Sequence, residues 1–298
     1  MKFNEVKLKD KALFESYLAG KNYDLITYSF ANFFIWRNWD PYTWTETDNA
    51  LVIKSNYLDL DTICVPISAD PQAIFNATET MIQLYKEQNR KFIISEVSSA
   101  DLASFKKRWP NRFIARPYRP GFNYIYEHND LAKLSGKKYD GKRNHINHFI
   151  RTNPDYSFLP LTTDLAKSSS DQLTKWLGAE KNSNLANNQE YQGTLDALKF
   201  FKDLGCIGTV LLIDNEVAGF TIGEPLNDDT FCIHIEKANT QISGCYQMIN
   251  HQFAKEFIDG YKFINRAEDM GMTGLKKAKL SYHPCRLEKK YYLRLRDE

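Results

Sequence analysis

No apolar run in this 298-residue chain approaches the length of about 18 residues that a membrane-crossing helix needs. The opening MKFNEVKLKDK lacks the apolar centre of a signal peptide. The five cysteines, Cys64, Cys206, Cys232, Cys245 and Cys285, are odd in number, widely spaced and never in a C-x-x-C pair. Neither a disulfide framework nor a zinc site is indicated. These absences give the expectation of a cytoplasmic chain with reduced thiols. The net charge is only +2, so no uniformly cationic surface is expected.

What is present is a large core and two local concentrations of charge. Apolar residues make up 43% and aromatics 14%, enough to bury a sizeable interior and to argue against wholesale disorder. The length suits about two domains. Lys133 to Arg151 holds six basic residues against Asp140 alone, and Lys276 to Arg296 holds eight against Glu288 alone. The remainder is net negative. Such separation suits either a local site for an anion or two solvated faces.

Strands alternate with helices. YTWTETDNALVIKS reads as a hairpin turning at Asp48-Asn49. Asp70-Pro71 opens a helix with Ile74, Thr78, Met81 and Tyr85 on one stripe. KFIISEV is a buried strand and SSADLASFKKRW a short capped helix, while RFIARPYRPGFNYIYEH reads as irregular strands at a domain junction. Helices are expected over Thr163 to Leu177 and Asn188 to Leu204. A hairpin follows at Asp214-Asn215-Glu216, and then the strand TFCIHIEKA. Next come a helix with Ile249, Phe253 and Phe257 on its apolar face and Gly260 at its end, the strand YKFINRAED, the helix TGLKKAKLSYHP and one final strand, RLEKKYYLRL. Lys91-Phe92-Ile93 and Lys262-Phe263-Ile264, in similar surroundings, suggest a duplication.

Alternation in TFCIHIEKA places Phe231, Ile233 and Ile235 on one side and Cys232, His234 and Glu236 on the other. In KKYDGKRNHINHFIR, Tyr139, Arg143, Ile146 and Ile150 share a helical stripe, so Arg143 is expected partly buried and paired, with Lys142 and His145 on the neighbouring face. His145-x-x-His148 lacks a third ligand and sits among cations that repel a metal, so no metal is assigned.

INRAEDMGMTGLKKAKLSYHP (Ile264 to Pro284) and KKYDGKRNHINHFIR resemble segments of the phosphatidylglycerol lysyltransferase C-terminal-domain-like proteins. The resemblance runs from about Leu25 to Leu295. It implies an α+β (α/β) chain of two tandem GNAT-like acyltransferase domains with mixed, mostly antiparallel sheets. They would occupy residues 1–130 and 131–298, the second including connecting helices at about 131–205. It also implies a donor turn after the fourth strand, where backbone N–H groups and a helix N-terminus meet phosphate. Gln241-Ile242-Ser243-Gly244-Cys245-Tyr246 keeps the Gln and Gly of such a turn but replaces its last small residue with Tyr246, which should crowd a pyrophosphate.

By the same resemblance Glu236 is the candidate general base and Tyr282 the candidate acid for the leaving group. Salt bridging and packing are the alternative explanations for these two. Lys142, Arg143, Gln241, Gly244, Lys277 and Lys279 are candidates for binding an anionic donor. His234, Asn265, Glu268 and Asp269 are acceptor-side or structural, with Asp269 suited to a capping role. The implied reaction moves an aminoacyl or acyl group from aminoacyl-tRNA or a thioester such as acyl-CoA to an amine or hydroxyl. An acetyl-CoA-dependent N-acetyltransferase and a non-catalytic module binding an anionic ligand are the other readings. No resident cofactor is assigned; peripheral membrane contact and oligomeric state stay open.

Overall fold

The computed structural model describes residues 1–57, 60–178 and 185–296. In chain order the elements are β1 (Asn4–Glu5), α1 (Lys11–Leu18), α2 (Phe30–Ile35), β2 (Thr43–Thr47), β3 (Ala50–Tyr57), β4 (Leu60–Cys64), α3 (Pro71–Glu87), β5 (Ile93–Val97), α4 (Ser99–Arg108) and β6 (Phe113–Pro117). They continue with β7 (Asn123–Glu127), α5 (His128–Lys133), α6 (Asp140–Thr152), β8 (Tyr156–Pro160), α7 (Thr163–Gly178), α8 (Leu185–Leu204), β9 (Ile207–Ile213) and β10 (Glu216–Pro225). The last are β11 (Thr230–Ala238), α9 (Cys245–Glu256), β12 (Phe263–Asn265), α10 (Thr273–Leu280), β13 (Arg286–Glu288) and β14 (Tyr291–Leu295).

Local chemistry sets these boundaries. Asp48 and Asn49 both take φ above zero (53° and 59°), as do Asp214 and Asn215 (51° and 64°). Asp and Asn tolerate that conformation better than other residues with a side chain, so each pair closes a tight hairpin. Asp70 caps α3 by accepting the Gln72 N–H at 2.9 Å, with Pro71 at the first helical position. Ser98 and Asp101 bond each other's backbone N–H at the start of α4, a reciprocal capping box. α9 ends at Glu256, and Gly260 (φ 92°) belongs to the turn beyond it rather than to its cap.

The chain divides into two compact units, each with a seven-stranded mixed sheet among the described residues. The first unit takes Met1–Asn123, Glu268–Thr273 and Leu287–Glu298; the second takes Tyr124–Ala267 and Gly274–Arg286. The sheet orders are β1-β2-β3-β4-β5-β14-β6 and β13-β7-β12-β11-β10-β9-β8. In each, an antiparallel run of four strands is followed by one strand parallel to the last of them, β5 beside β4 and β12 beside β11. This is the mixed, mostly antiparallel scheme expected from the sequence. Thr62-Ile63-Cys64 and Thr230-Phe231-Cys232 occupy the same place in the two sheets, each ending its parallel pairing at the cysteine.

One expectation is corrected. RLEKKYYLRL is two strands, not one. β13 lies in the second sheet, while β14 lies between β5 and β6 in the first. Between them Lys290 is buried, its Nζ 2.7 Å from Glu96 Oε2 and 3.4 Å from Thr27 Oγ1. Burial alone would lower the Lys290 pKa, but the Glu96 carboxylate outweighs it and the net shift is upward.

These placements predict two stability losses. Leu293, fully buried on β14, should cost about 2–5 kcal/mol as Leu293→Ala. Lys290→Ala, which strands the Glu96 carboxylate, should cost about 3–5 kcal/mol. Urea unfolding followed on Trp36, Trp39, Trp44 and Trp109, all in the first unit, reads both. A Leu293→Ala midpoint equal to wild type would contradict the central position of β14.

Candidate functional site

The site begins where two parallel strands part. β11 and β12 pair only as far as Cys232 opposite Asn265. β11 continues to Ala238, while the other chain turns away through Arg266 and Ala267, the latter at φ 54°. The backbone edge of β11 beyond Cys232 therefore has no β12 partner, and side chains fill the gap.

A bulge decides which side chains those are. Ile222 opposes Ile235 and Gly223 opposes Ile233, so His234 is an extra residue in β11. Such a bulge shifts the alternation by one. Glu236 consequently turns toward α9, whose Phe253 ring meets Phe231 at 5.8 Å. His234 turns toward Glu224, and Lys237 toward Glu190 on α8. The strict alternation read from the sequence, with His234 and Glu236 on one face, is corrected here.

Glu236 and Tyr282 both border the guanidinium of Arg266. Arg266 Nη2 donates to Glu236 Oε1 at 2.7 Å, and Asn250 Nδ2 donates to Glu236 Oε2 at 2.9 Å. Both charged side chains are only 12% exposed. The Arg266 guanidinium lies 4.8 Å from the Tyr282 ring centre and 5.6 Å from that of Tyr126. Its second terminal nitrogen, Nη1, is buried and has no hydrogen-bond partner. Burial raises the pKa of Tyr282, with Arg266 opposing and Glu236 reinforcing the shift, so the phenol keeps its proton at neutral pH.

Lys142 completes the group. Its Nζ donates to Ser281 Oγ at 2.6 Å and lies 4.0 Å from the Tyr282 ring centre. Burial, then the charge of Arg266, lowers its pKa to about 8. Arg143 is half-buried and paired, but with its own surroundings: it donates to the carbonyls of Leu134 and Gly136 and to Asp140. It holds the start of α6. On that helix Phe149 is buried and Ile150 exposed, so the apolar stripe runs one residue off the expected path.

The turn before α9 uses three of its N–H donors internally. Gln241 N–H bonds Asn239 Oδ1 at 2.9 Å, Ile242 N–H bonds Asn239 O at 3.2 Å, and Cys245 N–H bonds Ile242 O at 3.2 Å. Gly244 has φ 82°, and a Cβ there would lie 2.4 Å from the carbonyl oxygen of His145. The backbone of α6 thus abuts the helix N-terminus where a phosphate would sit. Tyr246 covers the end of β11; burial of its hydroxyl, eased by the Ala238 N–H and raised further by Glu236, brings its pKa to about 12.

The other sequence candidates are dispersed. Lys279 is buried, donating to the Arg266 carbonyl and lying 5.7 Å from the Tyr124 ring centre. Lys277 is exposed on α10. Asn265 is buried and its Oδ1 accepts the Ala267 N–H at 2.8 Å, holding the turn that aims Arg266. Glu268 and Asp269 belong to the first unit, where Glu268 accepts from Asn123 at 3.1 Å. Asp269 pairs with Arg119 at 3.0 Å and accepts the Gly271 N–H at 2.8 Å, so it closes the turn ahead of α10 and does not cap that helix. Arg266, Asn250 and Tyr126 were not picked out by sequence reasoning. The signal available was a basic residue directly after the short parallel strand.

Residues 22–294 match the family described as "Phosphatidylglycerol lysyltransferase, C-terminal". The chain belongs to this family. A solved structure of a conserved protein of unknown function from Bacteroides thetaiotaomicron is 32% identical, covers 99% of this chain and 100% of its own, and superposes with a TM-score of 0.91. L-PGS from Bacillus licheniformis is 16% identical over 99% of this chain and 94% of its own, at a TM-score of 0.69. An uncharacterized protein of Mycoplasmoides gallisepticum is 25% identical over 68% of this chain, and the match spans 64% of that protein's length. FemX and a tandem GNAT protein from clavulanic acid biosynthesis share the fold at TM-scores of 0.59 and 0.51, with 10% and 9% identity and at least 97% coverage of each chain. Family and fold together make this an acyltransferase-like chain. No helix among the described residues is long and apolar enough to cross a membrane.

Two tests follow for this family member. Arg266→Ala leaves Glu236 buried without its charge partner and should cost about 3–5 kcal/mol, read by urea unfolding on Trp176. Glu236→Ala combined with it should cost less than the two single changes added; strict additivity would deny the pairing. Lys142, half neutral near pH 8, should carry on the order of 10² more free amine at that pH than an ordinary lysine. Competitive acylation read by mass spectrometry should label it ahead of exposed Lys277, with a midpoint near pH 8. A midpoint above pH 10 would remove the perturbation.

Proposed function

We propose that the second unit catalyses transfer of an aminoacyl group from aminoacyl-tRNA to an amine or hydroxyl acceptor. The observation that carries this reading is Arg266: one nitrogen is locked to Glu236 while Nη1 is buried without a partner. A buried donor left unpaired costs about 1–3 kcal/mol, and such costs are tolerated where a ligand later supplies the acceptor. An ester carbonyl is such an acceptor, and it gains negative charge as the acceptor nucleophile attacks.

In this reading the acceptor nitrogen or oxygen bonds the acyl carbon and gives its proton to Glu236, once the carboxylate is released from part of its Arg266 contact. The bond from the acyl carbon to the ribose oxygen breaks, and Tyr282 supplies a proton to that oxygen. The raised pKa of Tyr282 keeps that proton available. Lys142, beside the same ring, adds positive charge for a polyanionic donor.

A tRNA donor is favoured over CoA by the turn before α9. Its N–H groups at Gln241, Ile242 and Cys245 are already bonded, and α6 occupies the space in front of Gly244. Membership of a family described by lysyl transfer is consistent with an aminoacyl group being moved, and the acceptor is taken as an amine or hydroxyl. A cytoplasmic location, where charged tRNA is found, belongs to the same reading.

Purified protein incubated with radiolabelled lysyl-tRNA and either a phosphatidylglycerol vesicle or a soluble amine should lose label from the tRNA to the acceptor. Glu236→Gln and Tyr282→Phe should each slow transfer by about 10²–10⁴-fold, and Arg266→Lys by about 10²–10³-fold. Acetyl-CoA should give no thermal shift. Transfer from acetyl-CoA instead would favour the N-acetyltransferase reading, and tRNA retention without transfer would favour a binding module.

A further inference from the structure

The opposite face of the second sheet carries a different cluster. His234, displaced by the bulge, is fully buried, and its Nε2 lies 2.8 Å from Glu224 Oε1 and 3.6 Å from Cys232 Sγ. Cys206 joins them: its Sγ, the Glu224 carboxylate and the His234 imidazole all lie within 4.8 Å of one another. Cys206 sits at the corner between α8 and β9, just after Gly205 turns the chain at φ 79°. Among the described residues this is the one grouping of three such ligands.

We propose that Cys206, Glu224 and His234 bind a zinc-class divalent cation. The donor set of thiolate, imidazole and carboxylate is one that zinc accepts. Tetrahedral zinc with a sulfur at about 2.3 Å and a nitrogen at about 2.0–2.1 Å has a sulfur–nitrogen edge of about 3.5 Å. Cys206 Sγ lies within 4.8 Å of the His234 ligand nitrogen and needs to close by at most about 1.3 Å to match that edge. The 2.8 Å contact to Glu224 needs to open by only about half an ångström to match the corresponding nitrogen–oxygen edge.

The imidazole fixes which nitrogen a cation would meet. A neutral ring carries one donor and one acceptor nitrogen. Here several potential ligands face Nε2, while Nδ1 is buried with no hydrogen-bond partner. A single proton on Nε2 can be given to one neighbour only. A cation at the centre would engage the imidazole lone pair, the carboxylate and the Cys206 sulfur together. Binding would release the Cys206 thiol proton to solvent and leave the imidazole proton on Nδ1.

Because Cys206 and His234 are both buried, the site is closed to substrate and structural, not catalytic. It would tie β10, β11 and the α8–β9 corner together. Glu236 lies beyond the bulge on the other face, so the two sites are separable by mutation.

Metal-free full-length protein titrated with Co(II) tests this. One Co(II) per chain should bind with a thiolate-to-metal charge-transfer band. Zn(II) should displace it and raise the melting temperature by at least about 5 °C at a hundredfold excess over Kd. Losing a residue that only hydrogen-bonds a metal ligand costs about 10–100-fold in affinity, so Cys206→Ser and Glu224→Gln should each weaken binding by more than about tenfold. Glu236→Gln should leave it unchanged. Absence of Co(II) binding by the wild-type protein overturns the proposal, as does binding without a charge-transfer band. If Cys206→Ser does not fold, the wild-type band and its stoichiometry decide the matter alone.

Discussion

The early end of parallel pairing between β11 and β12 is the constraint on which the second unit turns. After Cys232 and Asn265 the two strands no longer share hydrogen bonds, and a buried gap opens between them. A gap inside a sheet cannot stay empty or apolar when backbone groups line it. Here it is filled by an ion pair, Arg266 with Glu236, braced by Asn250 and flanked by the rings of Tyr126 and Tyr282. The cost of burying those charges is met only while both stay in place.

The first unit solves the same problem with the charges exchanged. There β4 and β5 pair to Cys64 and Ser95, and the next residue is an acid, Glu96, held at φ 56°. Its partner is Lys290, delivered by the C-terminal segment, with Thr27 bonding the same carboxylate at 2.5 Å. Glu96 is met by a cation and by Thr27 on its side chain, and by the Tyr28 hydroxyl on its backbone carbonyl. Arg266 retains an unpaired nitrogen. That contrast is the physical basis on which we propose chemistry for the second unit.

Helix α6 links the basic segment seen in the sequence to this gap. Its concentration of positive charge does not form one open anion surface. Arg143 closes on its own helix start, Lys138 pairs with Asp130 at 2.9 Å, and Lys142 reaches the Tyr282 ring. The same helix packs its backbone against Gly244, so the glycine is required there by close approach rather than by phosphate.

Much of the fold was legible because local rules govern it. The Asp-Asn turns, the Asp70-Pro71 cap and the order of elements rest on signals within a few residues, and these elements formed as read. The family resemblance brought Glu236 and Tyr282 into consideration, and the structure brings both to Arg266. What tertiary structure alone decided are the features that depend on distant partners. The bulge at His234 reflects the register of β10 and moves Glu236 to the face opposite His234. The segment RLEKKYYLRL divides between sheets because Lys290 finds Glu96, nearly two hundred residues earlier in the chain. Cys206, Glu224 and His234 have no motif spacing, since three separate elements bring them together. Sequence pattern records neighbours along the chain; register, strand parting and buried charge pairing are set by neighbours in space.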